Sequence, residues 1–334
     1  MKKVSIFVVL VLAFASCKHV LFEEEPAGTA PVVFQEAWDF VNEKYTFFEL
    51  KNLDWDSAYQ AYQPLVYDGM SNDSLFNVLS DLLYLLKDGH VNLSAGFDFS
   101  RNWSWYLDYP VNYDEDLLER HYFLEQQQFM GPLTLFDFGD VGYMHYSSFS
   151  RSVSQDLMAN VYSRFSDKKG LIIDVRDNGG GAVFNVYEMI SLFVQEEMTL
   201  AVEQVKDGPD RDHFTGWKDL RAYPNENEVF WSKPVVILTN RKCYSATNLF
   251  VAMMSALPNV TIVGDQSGGG GGVPAYTQLS NRWILRVSAS QTYTLDGKDI
   301  ELGVPADVSV DMDSTDQQNG MDSILEKALE LIRQ

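Results

Sequence analysis

Ser245 is the residue whose type and position first suggest chemistry. It follows an apolar segment, Pro234 to Thr239, and a short loop, and an apolar helical pattern begins at or just after it. In α/β proteins the turn from a strand into a helix lies at the carboxyl edge of the sheet, where ligands bind. A serine there is placed as in a nucleophile elbow, although the Gly-x-Ser-x-Gly sequence is missing. Serine also caps helices by accepting a backbone N–H, and this segment alone leaves the capping interpretation open.

A serine nucleophile needs a base, and histidine is the side chain that most often serves. His90 lies where a predicted helix breaks into a strand, whereas His145 lies within the strand-like segment GYMHYSSF. A break between elements suits a functional side chain better than the middle of a strand. His90 is therefore the predicted base, and His145 remains the competing one. A lysine base is disfavoured, because no lysine occurs between Ser245 and Lys298.

A glycine-rich turn offers a place for an anionic oxygen. In LIIDVRDNGGG, an apolar strand runs into Gly179, Gly180 and Gly181, and a helical pattern follows. Consecutive glycines let the backbone turn sharply with its N–H groups directed at a bound group, and the start of a helix adds partial positive charge. A nucleotide is a poor candidate, because neither the dinucleotide fingerprint nor the phosphate-loop pattern is present. An ordinary tight turn is the alternative.

Glu301 is a carboxylate that could orient a base. It lies after an Asp-Gly turn and before a Gly-Val-Pro segment, and a carboxylate behind a histidine is the third member of a serine triad. A residue of a surface loop is the alternative, because exposed glutamates are ordinary. Cys243, two positions before Ser245, is expected to be a packing residue, since free cysteine usually behaves as a small hydrophobe.

Composition and charge exclude several classes of protein. The chain has 334 residues, of which 46% are hydrophobic and 13% aromatic, so it can bury a real core and is not disordered. Its formal net charge of −22 argues against a nucleic-acid partner, whose phosphates demand a basic surface.

The N-terminus predicts export and a lipid anchor. Two lysines precede an apolar run that is too short to persist as a membrane helix, so residues 1–16 are expected to be a signal peptide. The segment that ends in Ser16 and Cys17 resembles a bacterial lipobox, which makes Cys17 the predicted lipidation site; an ordinary signal peptide is the alternative. Residues 17–32, with an acidic Glu-Glu-Glu run, are expected to be a solvated tether. Loss of residues 1–16 leaves 23 basic and 47 acidic side chains, a formal charge of −24.

The elements that position these residues form two patterns. Residues 33–95 are predicted to form a small helical N-terminal domain, and residues 96–130 a connecting segment of unassigned structure. Residues 131–334 alternate strands with helices, which predicts crossover connections around a largely parallel sheet in an α/β domain. The predicted strands are VNLSA, VGYMHYSSF, KGLIIDV, LAVEQV, KPVVILTN, VTIVG, TQLSN and RWILRVSAS.

Taken in order and spacing, the motifs resemble the serine peptidase family of C-terminal processing peptidases and tricorn. The segments that carry the resemblance are DGHVNL, GYMHYSSF, LIIDVRDNGGG, VVILTNRKCYSATNLF, VTIVGDQSGGGGG and DGKDIELGVPADVSV. The resemblance implies a crotonase-like or Clp-like α/β catalytic domain with a mixed, largely parallel sheet. It also implies hydrolysis of peptide bonds in a polypeptide substrate without a cofactor or metal, and a nucleophile at Ser245.

The resemblance also bears on the choice of base. The processing branch of the family has its lysine base at the position that Gly270 occupies here, which excludes that branch for this chain. The tricorn-like branch uses a histidine and a glutamate, and His90 and Glu301 match those positions. In that branch the glutamate would orient the imidazole.

The oxyanion hole implied by the family consists of the amide of Ala246 and an amide of Gly180 or Gly181. Three departures from the family pattern stand beside this match. The usual acid of the Ser-Ala tract is missing from residues 245–248, Gly89 replaces the second serine beside the histidine, and residues 96–130 are too few for a PDZ module.

The predicted function is that of a lipid-anchored, metal-independent serine endopeptidase or carboxy-terminal peptidase of the bacterial cell envelope. The outer membrane is the expected location, with the protein on its periplasmic or its surface face. The alternative is a catalytically inactive envelope lipoprotein that keeps the fold and binds extended peptides, and the altered tract after Ser245 motivates it.

Overall fold

The structure is a computed structural model, and it describes residues 28–334. The predicted signal peptide and the predicted lipidation site Cys17 lie outside the described residues. Among the residues that are described, no helix is both long and apolar enough to cross a membrane.

The helices of eight or more residues are α1 (Ala30–Lys44), α2 (Trp55–Tyr62), α3 (Asn72–Tyr84), α4 (Gln155–Phe165), α5 (Val183–Ile190), α6 (Ala246–Met254) and α7 (Ser323–Arg333). The shorter helical segments are Gln63–Leu65, Ser104–Leu107, Glu115–Leu117, Leu118–Phe123, Ser191–Phe193 and Ser314–Gln318. The strands are β1 (Asn92–Ser94), β2 (Phe99–Arg101), β3 (Gln128–Met130), β4 (Leu133–Asp137), β5 (Val141–Tyr146), β6 (Gly170–Asp174), β7 (Met198–Val205), β8 (Lys218–Ala222), β9 (Val235–Thr239), β10 (Val260–Gly264), β11 (Pro274–Gln278), β12 (Ile284–Ser288), β13 (Ser290–Thr294) and β14 (Val308–Ser309).

The N-terminal helices begin at recognisable local signals. The side chain of Asp54 accepts the Ser57 amide at the start of α2, and Ser71 accepts the Ser74 amide at the start of α3. Helix α1 begins at Ala30, earlier than the helical pattern indicated, and Pro31 lies in its first turn. A proline costs little there, since the amide it lacks would have no partner inside the helix.

The central sheet has seven strands in the order β14-β10-β9-β6-β5-β4-β3. Strands β5, β6, β9, β10 and β14 run parallel, and β4 and β3 join antiparallel at one edge. Strands β5, β6 and β9 are buried along their whole length, as expected for parallel strands covered on both faces. The predicted α/β fold with a mixed, largely parallel sheet is confirmed.

A four-stranded antiparallel sheet, β11-β12-β1-β2, joins the helical segment to the rest of the chain. One face of it packs on α1 and α3, and the shared core includes residues from both parts of the sequence. Those from the later part are Leu279, Trp283, Leu285 and Val287. The helices are therefore packed against strands that lie about 200 residues further along the chain. A third sheet, β13-β7-β8, is also antiparallel.

Some predicted strands differ from those observed. RWILRVSAS breaks at Ala289, so β12 and β13 belong to different sheets. TQLSN contains the end of β11 and then a turn, in which Arg282 has a φ of 69°. Strand β8, with the sequence KDLRA, is missing from the prediction because its charged, exposed residues lack an apolar pattern. The unassigned segment contains β2, β3 and short helical turns.

Candidate active site

Ser245 lies in the turn between β9 and α6 with φ 59° and ψ −122°. A residue other than glycine adopts this backbone conformation at a cost of about 1–3 kcal/mol, and such residues cluster at functional sites. The Ser245 side chain makes no capping hydrogen bond. Its Oγ lies 2.9 Å from His90 Nε2 instead. The hydroxyl therefore faces an imidazole and not the first amides of the helix, which removes the capping interpretation.

His90 is held in place from the backbone. It lies between α3 and β1, it is 3% exposed, and its amide donates to Asp88 Oδ1 at 2.7 Å. Its ring packs edge-on against the Tyr244 ring, with 4.9 Å between centroids. Burial lowers the pKa of His90 to about 4, Asp88 opposes this shift, and Arg286 and Arg101 lower the pKa further. The imidazole is neutral at pH 7, and it can accept a proton through Nε2.

His145, the competing base, lies in a different environment. It is buried in β5, and its Nε2 lies 3.4 Å from the Tyr113 hydroxyl. Burial lowers its pKa, and Asp174 and Arg176 are the charged groups that act on it most. Among the described residues His145 makes no hydrogen bond with Ser245, so the structure brings only His90 to the serine.

Glu301 lies in the same region, and both of its carboxylate oxygens accept hydrogen bonds. Its Oε1 accepts from Lys51 Nζ at 2.8 Å, and its Oε2 accepts from the Gly271 amide at 2.9 Å. His90 Nδ1, to which a base-orienting carboxylate would bond, has no partner at full hydrogen-bond geometry among the described residues, although the Gly272 backbone lies close enough to raise the pKa of the imidazole. Glu301, which was predicted to orient the imidazole, therefore makes no direct hydrogen bond to His90 among the described residues, and its oxygens accept from Lys51 and a backbone amide.

Asp88 is the second carboxylate of this cluster. Ser288 Oγ donates to Asp88 Oδ2 at 2.8 Å, and Lys51 Nζ lies 3.7 Å from the same oxygen. One buried ammonium group thus faces two buried carboxylates. Lys51 comes from the turn after α1, where it also lies 5.5 Å from the Phe47 ring centroid. The N-terminal helical segment therefore supplies a cation to the cluster around His90.

The two carboxylates respond differently to that shared cation. Burial and the neighbouring Asp88 charge raise the pKa of Glu301, although Lys51 opposes the shift. Burial alone would raise the pKa of Asp88 too, but Lys51 and His90 outweigh it and hold the pKa below its usual value. Asp88 is therefore the ionised carboxylate next to His90, and Glu301 is the one that more readily holds a proton.

The glycine turn packs directly against Ser245. A Cβ added to Gly180, whose φ is 98°, would lie 2.8 Å from the Ser245 Cβ, so only glycine fits there. The Gly180 amide donates to Asn178 Oδ1 at 3.0 Å. Gly181 and Ala246 line the same cavity as Ser245. Of the two predicted glycines, Gly181 is therefore the better placed to offer a free amide.

Gly270 explains why no lysine can serve at its position. With a φ of 77°, it lies against the ring of Tyr244, and an added Cβ would be 2.5 Å from Tyr244 Cζ. Any side chain here would displace the tyrosine that packs on His90. A side chain at position 270 therefore cannot enter the space next to Ser245.

The altered tract after Ser245 has a structural use. Thr247 Oγ1 donates to Asn178 Oδ1 at 2.7 Å and so fixes the glycine turn. Asn248 Nδ2 donates to the Ile300 carbonyl at 2.8 Å, which holds the loop that carries Glu301. The residues that depart from the family tract therefore secure the two loops beside the serine.

Cys243 is buried, as predicted. Its Sγ donates to the Val175 carbonyl at 3.0 Å, and burial raises the pKa of the thiol far above its ordinary value. A buried thiol that does not ionise is a poor nucleophile. Ser245 is therefore the better candidate of the two.

A cavity of about 240 Å³ opens beside Ser245. Its apolar lining comes from α5, β8, α6 and the loop before β11: Val183, Tyr187, Leu220, Leu249 and Val273. Arg286 and Glu203 line it as well. It has room for one large apolar side chain next to the serine hydroxyl.

Sequence reasoning missed Lys51 and the arginines near His90 as site residues. Lys51 is a single cation after the apolar stretch YTFFEL, which is a weak signal at best. Arg286 lies in an ordinary strand pattern, and Arg101 in the unassigned segment. Nothing local marks these three residues, because the two arginines meet only when β1, β2 and β12 pair, and Lys51 meets its carboxylates only when the turn after α1 packs on them.

The chain is similar to known peptidases over most of its length. The family described as Peptidase family S41 matches residues 140–310, and the one described as Tricorn protease C1 domain matches residues 26–84. The crystal structure of a candidate peptidase from Parabacteroides merdae has a TM-score of 0.87 and 36% sequence identity to this chain. That similarity covers 91% of this chain and 96% of the other.

Two curated bacterial proteases are more distant relatives. The carboxy-terminal-processing protease of Bartonella bacilliformis is 25% identical over 193 residues, which make up 56% of this chain and 42% of the relative. The carboxy-terminal processing protease CtpB of Bacillus subtilis is 28% identical over 159 residues, 47% of this chain and 31% of the relative. The matched part therefore spans less than half the length of each relative.

Proposed function

The chain belongs to peptidase family S41, and from that premise we propose that it is a serine peptidase that hydrolyses peptide bonds in polypeptide substrates. The observation that carries the proposal is the 2.9 Å contact between Ser245 Oγ and His90 Nε2, at a serine with strained backbone. A nucleophile and a base within hydrogen-bond reach are the minimum that this chemistry requires. The names of the curated relatives also support removal of C-terminal segments as the type of cleavage.

In the proposed first step, His90 Nε2 takes the hydroxyl proton as Ser245 Oγ attacks the carbonyl carbon of the scissile bond. The low pKa of His90 keeps the imidazole neutral and ready to accept that proton. The imidazolium then gives the proton to the leaving amine, and an acyl-enzyme remains. Water activated by the same imidazole hydrolyses the ester and restores the serine.

The oxyanion that forms on the carbonyl oxygen needs donors. We assign this role to the amides of Ala246 and Gly181, with Gly180 as the residue whose missing side chain lets the turn approach Ser245. The partial positive charge at the start of α6 adds to their effect. Each such donor contributes about 3 kcal/mol to lowering the barrier.

The imidazolium also needs a counter-charge. Asp88 is the acid that most raises the pKa of His90, so we assign to Asp88 the stabilisation of the protonated base. Lys51 holds Asp88 in its ionised form. We propose that Glu301 acts at one remove, by positioning Lys51 and the Gly271 amide.

Fluorophosphonate labelling tests the proposed nucleophile. These reagents form a covalent bond with an activated serine, so we expect the wild-type protein to be labelled and Ser245→Ala to stay unlabelled. Ser255→Ala, which removes the hydroxyl at the other end of α6, is the matched control and should be labelled like the wild type. A folded wild-type protein without label would favour the alternative function, a catalytically inactive peptide-binding protein of the same fold.

The cell envelope is the proposed location, and Cys17 the proposed point of attachment by lipid. The support for this lies in the lysines, the apolar run and the lipobox-like end of residues 1–17. Expression in a bacterium fed an alkyne fatty acid should label the wild-type protein, but not Cys17→Ser. Equal labelling of both, or of neither, would contradict the assignment.

A further inference from the structure

A row of polar side chains crosses the four-stranded sheet next to the candidate active site. Arg286 in β12 lies opposite Asn92 in β1, and Asn92 lies opposite Arg101 in β2. Directly paired residues share a face of the sheet. The neighbouring residues Leu93 and Leu285 point to the other face, which packs on the helical segment. The two arginines therefore lie on the face turned away from that core.

Neither arginine has an acidic partner. In residues 28–334, no carboxylate lies within 4 Å of the Arg286 or the Arg101 guanidinium, although the whole chain carries 47 acidic residues. Arg286 Nη1 donates to Asn92 Oδ1 at 3.4 Å, and its buried Nε has no hydrogen-bond partner among these residues. Arg101 Nε donates to the Gly89 carbonyl at 2.6 Å. Both side chains are half-buried, so their free guanidinium donors remain open to a ligand, and the buried Nε of Arg286 gains an acceptor only if one enters the site.

Arg286 borders the catalytic groups directly, and Arg101 lies beside the residues next to them. Arg286 lines the cavity that contains Ser245 and His90. Arg101 lies over Trp103 at 4.2 Å from the ring centroid and 5.9 Å from that of Tyr244, the residue before the serine. The pKa of His90 is lowered by both cations. Their charge therefore acts where the peptide substrate would bind.

We propose that Arg286 and Arg101 form a subsite that binds a carboxylate of the substrate peptide beside Ser245. The carboxylate is either the C-terminal group of the peptide or the side chain of an aspartate or glutamate near the scissile bond. This inference rests on the proposed peptidase function and adds a substrate class to it. Guanidinium groups match carboxylates in geometry as well as in charge, because they donate two parallel hydrogen bonds.

Binding of such a substrate would also assist the base. A carboxylate between the two arginines offsets their charge, which reduces their effect on the pKa of His90. The imidazole then becomes more basic at the moment when it must take the proton of Ser245. Glu203 lines the same cavity, but Ser290 Oγ donates to it at 2.9 Å and it forms no ion pair with Arg286 among the described residues.

Peptide binding to the full-length Ser245→Ala variant tests the subsite without turnover. The probes are the fluorescein-labelled peptide Ala-Ala-Ala-Leu-Ala-Ala-Ala as amide and as free acid, and amides in which one glutamate or one glutamine replaces each alanine in turn. We expect the free acid, or one glutamate peptide, to bind about tenfold more tightly than its neutral counterpart, as for a charged hydrogen-bonded pair. Preference for the free acid identifies a C-terminal carboxylate, and preference for one glutamate position identifies a side chain.

Arginine variants in the Ser245→Ala background locate the preference. Arg286→Gln should abolish the preference for the carboxylate probe over its neutral counterpart, and Arg286→Lys should retain part of it. Arg282→Gln changes an exposed arginine in the turn before the same strand, and it should preserve the preference. Equal binding of all probes, or a preference that survives in Arg286→Gln, would overturn the proposal.

The same set of proteins separates this inference from the function on which it rests. A carboxylate preference in Ser245→Ala, with no fluorophosphonate label on the wild type, would refute the peptidase function and retain the carboxylate subsite. Labelling of the wild type without any carboxylate preference in Ser245→Ala would support the peptidase function and refute the carboxylate subsite.

Discussion

Two buried charge clusters contain a histidine each, and they are built differently. Around His145, Arg176 donates to both oxygens of Asp174, and its Nη1 lies 2.8 Å from Asp322 Oδ2. Around His90, the single Lys51 faces both Asp88 and Glu301, and two arginines lie near without acids.

The difference distinguishes a charge cluster that stabilises the fold from one that can bind a ligand. In the first cluster the guanidinium donors are paired, and the Asp174 carboxylate also accepts from the Tyr143 hydroxyl at 2.8 Å. Such a network is expensive to break, and none of these residues lines the cavity beside Ser245. In the second cluster, Ser245, His90 Nδ1 and Arg286 Nε retain hydrogen-bonding capacity. Incomplete pairing next to a cavity is what a binding site needs.

The largest expected effect concerns the two histidines. His90→Gln should lower peptidase turnover by about 10⁴-fold, because the serine loses its base. His145→Gln should leave turnover within a few-fold of wild type, because His145 makes no bond to the serine. The measurement is kcat/KM on a peptide substrate, with folding checked by circular dichroism. If His145→Gln abolished turnover and His90→Gln did not, the base would be misassigned.

A smaller effect, on stability, should distinguish the carboxylates of the two clusters. Asp174→Asn removes the carboxylate that accepts from both Nε and Nη2 of the fully buried Arg176 and leaves Asp322 as the only acid paired with it among the described residues, so we expect a loss of about 3–5 kcal/mol in the free energy of unfolding. Glu301→Gln should cost about 1 kcal/mol or less, because burial already disfavours the charge on Glu301 and Asp88 still pairs with Lys51. Urea denaturation at pH 7 measures both variants.

The predicted difference in stability between the two clusters is contradicted if Glu301→Gln lowers the free energy of unfolding as much as Asp174→Asn does. Such a result would mean that Lys51 depends on Glu301 and not on Asp88 for its counter-charge. The double variant Asp88→Asn/Glu301→Gln would then unfold no more easily than the single variant Glu301→Gln.

The smallest expected effect is a shift of the pH profile. With the pKa of His90 lowered to about 4, the free enzyme keeps its neutral base down to that pH. We expect kcat/KM to fall as pH drops through about 4, and not near the ordinary histidine value of about 6.5. Arg286→Gln removes a positive charge that opposes protonation of His90, so the pH at which kcat/KM falls should be higher in this variant. If the wild type loses kcat/KM near pH 4 and Arg286→Gln loses it at the same pH, Arg286 has no electrostatic effect on His90.

Much of the fold followed from local patterns. Segments such as KGLIIDV and KPVVILTN are short, apolar and bounded by turns, and they form β6 and β9 as predicted. Strand β8 was missed, because an exposed edge strand carries charges and no apolar pattern. The break between β12 and β13 was also missed, since no proline or glycine marks it.

The candidate site also contains residues that local sequence suggested and residues that it did not. Ser245, its following amide and the glycine turn could be proposed from the sequence because each lies where an apolar strand ends, and the structure brings them together. Lys51, Arg101 and Arg286 were not found, because they are scattered along the chain and are ordinary residues in their own segments. Glu301 lies in the same cluster, but its hydrogen-bond partners Lys51 and Gly271 were not predicted, since such partners depend on the packing of distant loops.

The sequence by itself determined the α/β fold class and the placement of a serine and a glycine turn at strand ends. These features depend on apolar periodicity and on turn residues, which are local properties. Only the tertiary structure decided that the serine hydroxyl faces His90 and makes no cap, and that Lys51 stands between two carboxylates. The physical reason is that electrostatic contacts and hydrogen bonds act over a few ångströms in space, whereas these groups lie up to 250 residues apart along the chain.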